Sequence, residues 1–324
     1  MPVPQRPLTD VPSLGQASAD KLARIGITNL AALATSNPMA VSTACDNDPD
    51  TGRRWIEHAR KALEDDGFLQ KSVMTASELL KRERAATRLK LGTPKLDEFF
   101  HGGLVGGSLY ELYGEAHNGK SQFCFQAAVE ALRGPGGKVV YIESEGAFEP
   151  ERIAQMCEAR GLDAKDTMDR IEVVSPLTSG EQAYHIRDLQ SRVGAEGVRL
   201  VIGDSFTGIV RAEMAGREFM SPRSQWLMQN TNILKSVARV YGIPVILTNQ
   251  VTTDMDVNFG DNKVAFAGTG FAHAVTYRTK IYVPKNSQKR VFKMVDSPRD
   301  AQMEEVLWID EAGYTGEDPR ARRK

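Results

Sequence analysis

Gly114-Glu115-Ala116-His117-Asn118-Gly119-Lys120-Ser121 follows the pattern G-x-x-x-x-G-K-[ST] of a phosphate-binding loop, the P-loop. A strand is predicted over residues 108–113, directly before the loop, and a helix over residues 122–132, directly after it. Gly114 and Gly119 permit a backbone approach that a Cβ atom would obstruct. Successive N–H groups and the positive end of the helix dipole then face a polyphosphate. This stretch therefore predicts a nucleotide site in an α/β fold.

Two side chains at the end of the loop have chemical roles of their own. Lys120 can reach the β- and γ-phosphates, and the Ser121 hydroxyl can bind Mg²⁺. We therefore expect ATP and Mg²⁺ as ligands. The candidate nucleotide-binding residues are those of the loop and the next position, namely Gly114, Glu115, Ala116, His117, Asn118, Gly119, Lys120, Ser121 and Gln122.

The composition is that of an ordinary globular protein. The chain has 324 residues, of which 26% are charged and 41% hydrophobic, and its formal net charge is −1. Without a global basic surplus, any nucleic-acid surface must be a local patch. The three scattered cysteines predict neither a disulfide framework nor a zinc site. No run of about 18 apolar residues predicts a membrane span, and we expect a soluble intracellular protein.

Apolar runs alternate with helical patterns after the P-loop, which favours a mostly parallel sheet covered on both faces. Three later runs are short and closely spaced, which predicts an antiparallel edge. The predicted strands are 139–143, 171–174, 200–204, 244–250, 279–283, 290–295 and 306–309, and the predicted helices are 150–161, 180–194 and 225–241.

The N-terminal residues 1–66 predict a small all-α domain. One helix would be capped by Ser18 or Asp20 and end at Ile25, a second would span about 29–35, and a third about 51–65. The first two resemble a helix-hairpin-helix, which grips nucleic-acid backbone, although Ser13 stands where that unit usually has its first glycine. A helical packing module without DNA contact is an equal alternative.

The rest of the chain divides into three parts. Residues 67–90 read as a linker with a short charged helix over 78–88, capped by Thr75 or Ser77. Residues 91–318 form the predicted ATPase core. Residues 319–324 form a charged tail.

Polar residues follow the predicted parallel strands, where P-loop sites work. Asp204 ends one strand and fits a carboxylate that holds Mg²⁺ through water. Glu143 and Glu145 follow another strand, and either carboxylate could deprotonate the water that attacks the γ-phosphate. Gln250 ends a third strand, where a neutral amide could sense the γ-phosphate. These side chains predict hydrolysis of the nucleotide.

Two long segments, 210–224 and 251–271, do not read as core. Loops of this length in a compact domain are usually functional. The first contains Arg211, Arg217 and Arg223, and the second is rich in polar residues and glycine. Arginine and backbone N–H groups are what phosphate contacts need.

The order of these motifs resembles the RadA-type recombinases of archaea and their eukaryotic relatives, within the RecA-like ATPases. The resemblance covers about residues 8–318. It rests on Leu91-Gly92-Thr93-Pro94-Lys95-Leu96-Asp97, the P-loop, the run from Tyr141 to Arg152, Gly216-Arg217, Thr248-Asn249-Gln250-Val251, Ala272-His273-Ala274 and Asp296-Ser297-Pro298.

The resemblance implies an ATP-dependent filament on single-stranded DNA that exchanges strands with homologous duplex in recombination and double-strand-break repair. By position it implies that Glu145 is the catalytic glutamate, with Lys120 and Gln250, and that Arg152 stacks on adenine. Implied DNA contacts are Arg211, Arg217, Arg223, Asn262, Lys263, Gly268 and Gly270. Implied subunit contacts are Val73, Ala76, His273, Asp296 and Pro298.

The resemblance also defines partners and alternatives. It implies a homo-oligomer, filament or ring, with single- and double-stranded DNA, possible recombination mediators and no membrane, in the cytoplasm of an archaeon or the nucleus of a eukaryote. Val73 stands where family members insert a Phe into the next subunit, which would weaken this anchor by ~1–2 kcal/mol. A recombinase paralogue that binds ATP without exchanging strands is therefore the main alternative, ahead of an assembly scaffold or a ring helicase.

Overall fold

The computed structural model of the chain describes residues 6–69, 71, 73–253, 263–299 and 303–321. The helices are α1 (Gln16–Ala23), α2 (Leu30–Ala34), α3 (Pro38–Cys45), α4 (Pro49–Asp65), α5 (Ala76–Ala85), α6 (Pro94–Phe99), α7 (Lys120–Ala131), α8 (Pro150–Ala159), α9 (Ala164–Asp169), α10 (Ser179–Glu196), α11 (Gly208–Glu213), α12 (Met220–Tyr241) and α13 (Gly268–Ala274). The strands are β1 (Arg88–Leu89), β2 (Leu104–Val105), β3 (Leu109–Tyr113), β4 (Lys138–Glu143), β5 (Ile171–Val174), β6 (Val198–Asp204), β7 (Val245–Asn249), β8 (Val251–Thr253), β9 (Lys263–Ala265), β10 (Tyr277–Tyr282), β11 (Arg290–Asp296), β12 (Glu304–Asp310) and β13 (Gly313–Thr315).

A nine-stranded sheet forms the centre of the molecule, in the order β13-β12-β11-β10-β3-β7-β6-β4-β5. Neighbours from β10 to β5 are parallel, and those from β10 to β13 are antiparallel. The predicted mostly parallel sheet with an antiparallel edge is thus confirmed. The three-residue strand β13 was too short for the pattern to reveal.

Helices cover both faces of this sheet. Helix α7 is buried on one face among aromatic residues such as Phe123 and Phe292. Helices α10, α12 and α13 cover the other face, where Leu234 and Phe271 pack against the strands. In the described part of the chain, no helix has the length and apolar character that a bilayer span requires.

The N-terminal helices enclose a further apolar cluster, which includes Leu22, Leu33, Trp55 and Leu63. The prediction of Ser18 or Asp20 as the first cap is wrong, because α1 begins at Gln16 after Gly15. Helix α3 was missed, although Asn37 caps it and Pro38 begins it, a favourable pair for a helix start.

The same helices also contact the α/β part of the chain. Asn29 Nδ2 donates a hydrogen bond to the Ser191 carbonyl at 3.2 Å, and Gln190 Nε2 donates to Thr35 Oγ1 at 2.8 Å. Val240 of α12 lies in the N-terminal cluster. These contacts give the N-terminal helices a packing role, and the predicted DNA contact remains a prediction.

The two segments predicted as long loops contain regular structure. Helix α11 and the start of α12 leave only 214–219 between them. Pro222 lies in the first turn of α12, where the N–H that proline lacks would have no helical partner. In the second segment, β8 pairs with β9 and α13 begins at Gly268. Arg223, Gly268 and Gly270 therefore lie on helices.

Gln126 connects the segment before α6 to β13. This buried side chain of α7 donates to the Leu91 carbonyl at 2.5 Å and accepts from the Tyr314 N–H at 2.6 Å. Thr93 Oγ1 donates directly to the Tyr314 carbonyl at 2.6 Å. Segments more than two hundred residues apart are thereby fixed to one helix.

We expect Glu130→Gln to destabilise the protein by about 1–3 kcal/mol at pH 7. Burial acts to raise the pKa of the Glu130 carboxyl, but bonds and charges from Arg133 and Arg160 lower it overall from 4.5. The loss of stability should be complete above pH 4.5, and it should shrink as the pH falls through the lower pKa that Glu130 has in the folded protein. Urea unfolding at pH 7 and pH 3 measures it. The exposed Glu158→Gln on α8 is the control, and equal effects of both changes would contradict the prediction.

Candidate nucleotide and DNA site

The P-loop joins β3 to α7 at the carboxyl edge of the parallel strands. A Cβ atom on Gly114 would lie 2.2 Å from the Ile281 carbonyl oxygen. Gly119 has a φ of +103° and its Cβ would lie 2.2 Å from the Tyr314 hydroxyl. Both glycines are therefore required by close approach, as the motif predicts.

Neighbouring strands hold the loop from below. Asn118 Nδ2 donates to the Ile281 carbonyl at 3.1 Å, and the Tyr314 hydroxyl donates to the Gly119 carbonyl at 3.0 Å. The tip of the loop, Glu115, Ala116 and His117, is exposed. On the helix that follows, Ser121 and Gln122 are half-buried. The loop thus presents a fixed backbone with an open upper side.

Lys120 is buried, and its ammonium group turns into the loop. Nζ donates to the carbonyls of Gly114 at 2.9 Å and Glu115 at 2.8 Å. Burial lowers the pKa of Lys120, while Asp204 and Glu145 act in the opposite direction. The ammonium therefore lies in the field of both acids.

Asp204 ends β6 with both carboxylate oxygens engaged. The Tyr141 hydroxyl donates to Oδ2 at 2.6 Å, and the Thr248 hydroxyl donates to Oδ1 at 2.6 Å. Burial, followed by the charge of Asp204, raises the pKa of Tyr141, so this hydroxyl stays a donor. The two strands beside β6 thus orient the carboxylate.

Glu143 and Glu145 occupy different environments. Glu143 is buried and accepts the backbone N–H groups of Gly146 at 2.7 Å and Ala147 at 3.3 Å, so it stabilises the turn. Glu145 accepts the Ser205 hydroxyl at 2.7 Å and the Gln250 amide at 2.7 Å. Of the two, only Glu145 contacts side chains at the ends of β6 and β7.

A continuous set of contacts leads from Glu145 to both predicted DNA segments. Gln250 donates to Glu145 and accepts a hydrogen bond from Arg211 on α11. The guanidinium groups of Arg211 and Arg223 lie 5.5 and 5.0 Å from the ring centre of Phe266. The Phe266 N–H donates to the Gln250 carbonyl at 2.9 Å. The structure therefore brings the two segments together beside the nucleotide loop.

The remaining predicted DNA residues lie on the same edge or are not described. Arg217 is exposed between α11 and α12, and Lys263 on β9 forms an ion pair with Glu115 of the P-loop. Gly268 and Gly270 lie in the first turn of α13. Asn262 lies outside the described residues.

Arg152, the predicted adenine-stacking residue, is held beside the P-loop helix by hydrogen bonds. Its Nε donates to Gln122 Oε1 at 2.8 Å, and Nη2 donates to the Asp310 carbonyl at 2.6 Å. Burial lowers its pKa, opposed by the charges of Asp310 and Glu311. Stacking on a base remains a prediction.

The five predicted subunit-contact residues are all exposed. Val73 is 87% exposed, and Ala76 begins α5, which has no buried residue. His273 lies on α13, Asp296 ends β11, and Pro298 follows it. Their position on the surface is compatible with contact to another copy of the chain.

Several residues of this site were missed from the sequence. Phe266 was hidden in a segment without periodicity, and Ser205 had no signal beyond its place after Asp204. Tyr141 and Thr248 did carry a signal, since each is a hydroxyl next to a run of apolar strand residues, where a buried polar group needs a partner.

Comparisons of the sequence with known proteins identify the family of the chain. A sequence model of the Rad51 family matches residues 81–317. DNA repair and recombination protein RadA of Aeropyrum pernix is 34% identical over 312 residues, which cover 94% of this chain and 95% of that protein. The RadA proteins of Metallosphaera sedula (33% over 310 residues, 94% of each chain) and Cenarchaeum symbiosum (31% over 312 residues, 94% of this chain and 78% of that protein) are also similar. The chain therefore belongs to the Rad51 family, with RadA recombination proteins among its relatives.

Proposed function

We propose that this chain is an ATP-dependent recombinase that assembles on single-stranded DNA and exchanges strands in homologous recombination and double-strand-break repair. The observation that carries the proposal is the set of contacts from Glu145 through Gln250 to Arg211 and Phe266. These contacts join a nucleotide site to two segments suited to DNA. The similarity to DNA repair and recombination proteins called RadA supports the same function.

The residues of the P-loop fit ATP with Mg²⁺. Gly114 and Gly119 leave space that a Cβ atom would fill, and the N-terminus of the twelve-residue helix α7 faces that space. Lys120 would exchange the carbonyls of the loop for phosphate oxygens. Ser121 and Asp204 would hold Mg²⁺, directly and through water, and the ion would neutralise charge on the phosphates.

Glu145 is the residue we assign to water activation. Its carboxylate would take a proton from the water that attacks the γ-phosphorus, while the bond to the ADP oxygen breaks. Gln250 already donates to the same carboxylate and would report the state of the γ-phosphate to the second DNA segment. Hydrolysis would thus switch the conformation of the DNA segments rather than form a covalent product.

Arg211, Arg217, Arg223 and Lys263 would contact DNA phosphates, and backbone N–H groups near Gly268 and Gly270 would add neutral contacts. Such contacts bind without regard to sequence, and their affinity falls as salt rises. Val73 and Ala76 would anchor one subunit on the next, with His273, Asp296 and Pro298 beside the neighbouring nucleotide. Recombination mediators are proposed further partners, and the compartment is that of the cell's DNA.

A second candidate is a paralogue that binds ATP and a recombinase without exchanging strands. The exposed Val73 favours it, because valine fills less volume than the Phe expected at this anchor. Electron microscopy on single-stranded DNA with a non-hydrolysable ATP analogue separates the two. Long regular filaments are the result expected of a recombinase, whereas rings or monomers alone would favour the paralogue, with Val73→Phe as the next variant.

We expect Phe266→Ala to weaken single-stranded DNA binding by about fivefold or more, because an aromatic platform for bases or arginines contributes about 1–3 kcal/mol. Fluorescence anisotropy with an ATP analogue measures the affinity. Phe266→Tyr keeps the ring and should bind like the wild type. If Phe266→Ala also binds like the wild type, Phe266 has no part in DNA binding.

A further inference from the structure

A buried polar chain lies below the site, on the sheet face covered by α12 and α13. Glu111, Thr207 and Asn249 have no exposed surface, and the side chain of Arg278 is 16% exposed. Glu111 pairs with Leu247 across the strand ladder, and Leu247 belongs to the apolar cluster on this face. A carboxylate in such a layer is costly unless it is paired and hydrogen-bonded.

Hydrogen bonds join the four side chains one after another. Arg278 Nε donates to Glu111 Oε2 at 2.5 Å, and Asn249 Nδ2 donates to Glu111 Oε1 at 2.8 Å. The Thr207 hydroxyl donates to Asn249 Oδ1 at 2.9 Å. Asn249 is therefore the link between an ion pair on one side and a hydroxyl on the other.

Three of the four members adjoin a part of the site described above. Thr207 precedes α11, and its carbonyl accepts the N–H of Arg211 at 2.9 Å. Asn249 is followed directly by Gln250. The guanidinium of Arg278 lies 5.5 Å from the ring centre of Tyr113, the residue before the P-loop.

We infer that Thr207 and Asn249 are positioning residues that hold Arg211 and Gln250 in register with the P-loop, so that DNA bound at one end accelerates hydrolysis at the other. This inference rests on the proposed function. The buried chain is a rigid connection, since a lost bond leaves a buried polar atom without a partner. Breaking one of these hydrogen bonds should therefore reduce the stimulation of ATP hydrolysis by DNA more than it reduces DNA-free hydrolysis or DNA binding.

Thr207→Val removes the donor and keeps the shape of the side chain. We expect the DNA stimulation of ATPase kcat to fall about tenfold, with DNA-free kcat and the KM for ATP within about twofold of the wild type. Thr207→Ser restores the hydroxyl and should restore the stimulation. A loss of stimulated and DNA-free rates in equal proportion, unchanged stimulation, or a serine variant that behaves like valine would each overturn the inference.

A second pair of variants tests the same link by charge. Asn249→Asp places a carboxylate against Glu111 and should abolish the stimulation. Adding Glu111→Gln lets the new amide donate to the aspartate and accept from Arg278, so the double variant should regain it. Recovery of thermal stability without recovery of stimulation would overturn the inference. If DNA does not stimulate ATP hydrolysis by the wild type at all, the proposed function is wrong, and the inference that rests on it falls as well.

Discussion

Glu145→Gln is expected to lower the kcat of DNA-stimulated ATP hydrolysis about 100- to 10,000-fold, because the amide cannot accept the proton of the attacking water. Glutamine has nearly the shape of glutamate and can still accept hydrogen bonds from Ser205 and Gln250. ATP binding should therefore stay within about threefold of the wild type, since the change removes a group that acts in the transition state. Single-turnover hydrolysis and equilibrium binding of a fluorescent ATP analogue separate the two effects.

Glu143→Gln is the matched control, two residues away on the same turn. Its side chain accepts the backbone N–H groups of Gly146 and Ala147, and a glutamine oxygen can accept them as well. We expect a modest loss of stability and a kcat within about tenfold of the wild type, because no proton transfer is involved. If Glu145→Gln keeps full activity, or if Glu143→Gln is the more damaging change, the assignment of the base is wrong.

Lys120→Ala is expected to lower kcat/KM for ATP at least about 100-fold, because a fixed cation that faces the developing charge stabilises the transition state by several kcal/mol. The alanine also leaves the carbonyls of Gly114 and Glu115 without the ammonium that they now accept from. Steady-state hydrolysis across a range of ATP concentrations measures the change.

Lys138→Ala is the control for this substitution. Lys138 begins β4 and pairs with Glu196 at 3.2 Å, at the end of the strand away from the P-loop. A surface pair of this kind contributes little to stability, so hydrolysis should be unchanged. If both variants lost hydrolysis activity to a similar extent, the effect of Lys120→Ala would reflect a general loss of folded protein and not a lost contact with phosphate.

The features of the fold that follow from local patterns were predictable. The P-loop needs glycines at fixed spacing between a strand and a helix, so eight residues were enough to locate it. The apolar runs of the parallel strands were continuous because both faces of the sheet are covered. Strand bounds at the P-loop differed by one residue, and α7 begins two residues early because Lys120 and Ser121 already belong to its first turn.

The contacts within the site were harder to predict, since they join residues far apart in the chain. Position alone could not distinguish Glu143 from Glu145, because the turn after β4 decides which of the two side chains reaches Gln250 at the end of β7. Glu111 did carry a signal, as the single acid in the otherwise apolar run Leu109–Tyr113. Its partners Asn249 and Arg278 lie more than a hundred residues away, and only strand order brings them together.

The hydrogen bonds of Gln126 to residues 91 and 314 hold the beginning and the end of the α/β part of the chain close together in space. A core of this kind is suited to circular permutation, which succeeds where the ends of a domain are close together. A short linker from the end of β13 to the segment before α6 could replace the natural break, and new ends could open in the exposed turn after α7. The order of elements along the chain would then change, while the P-loop and the two predicted DNA segments kept their places on the sheet.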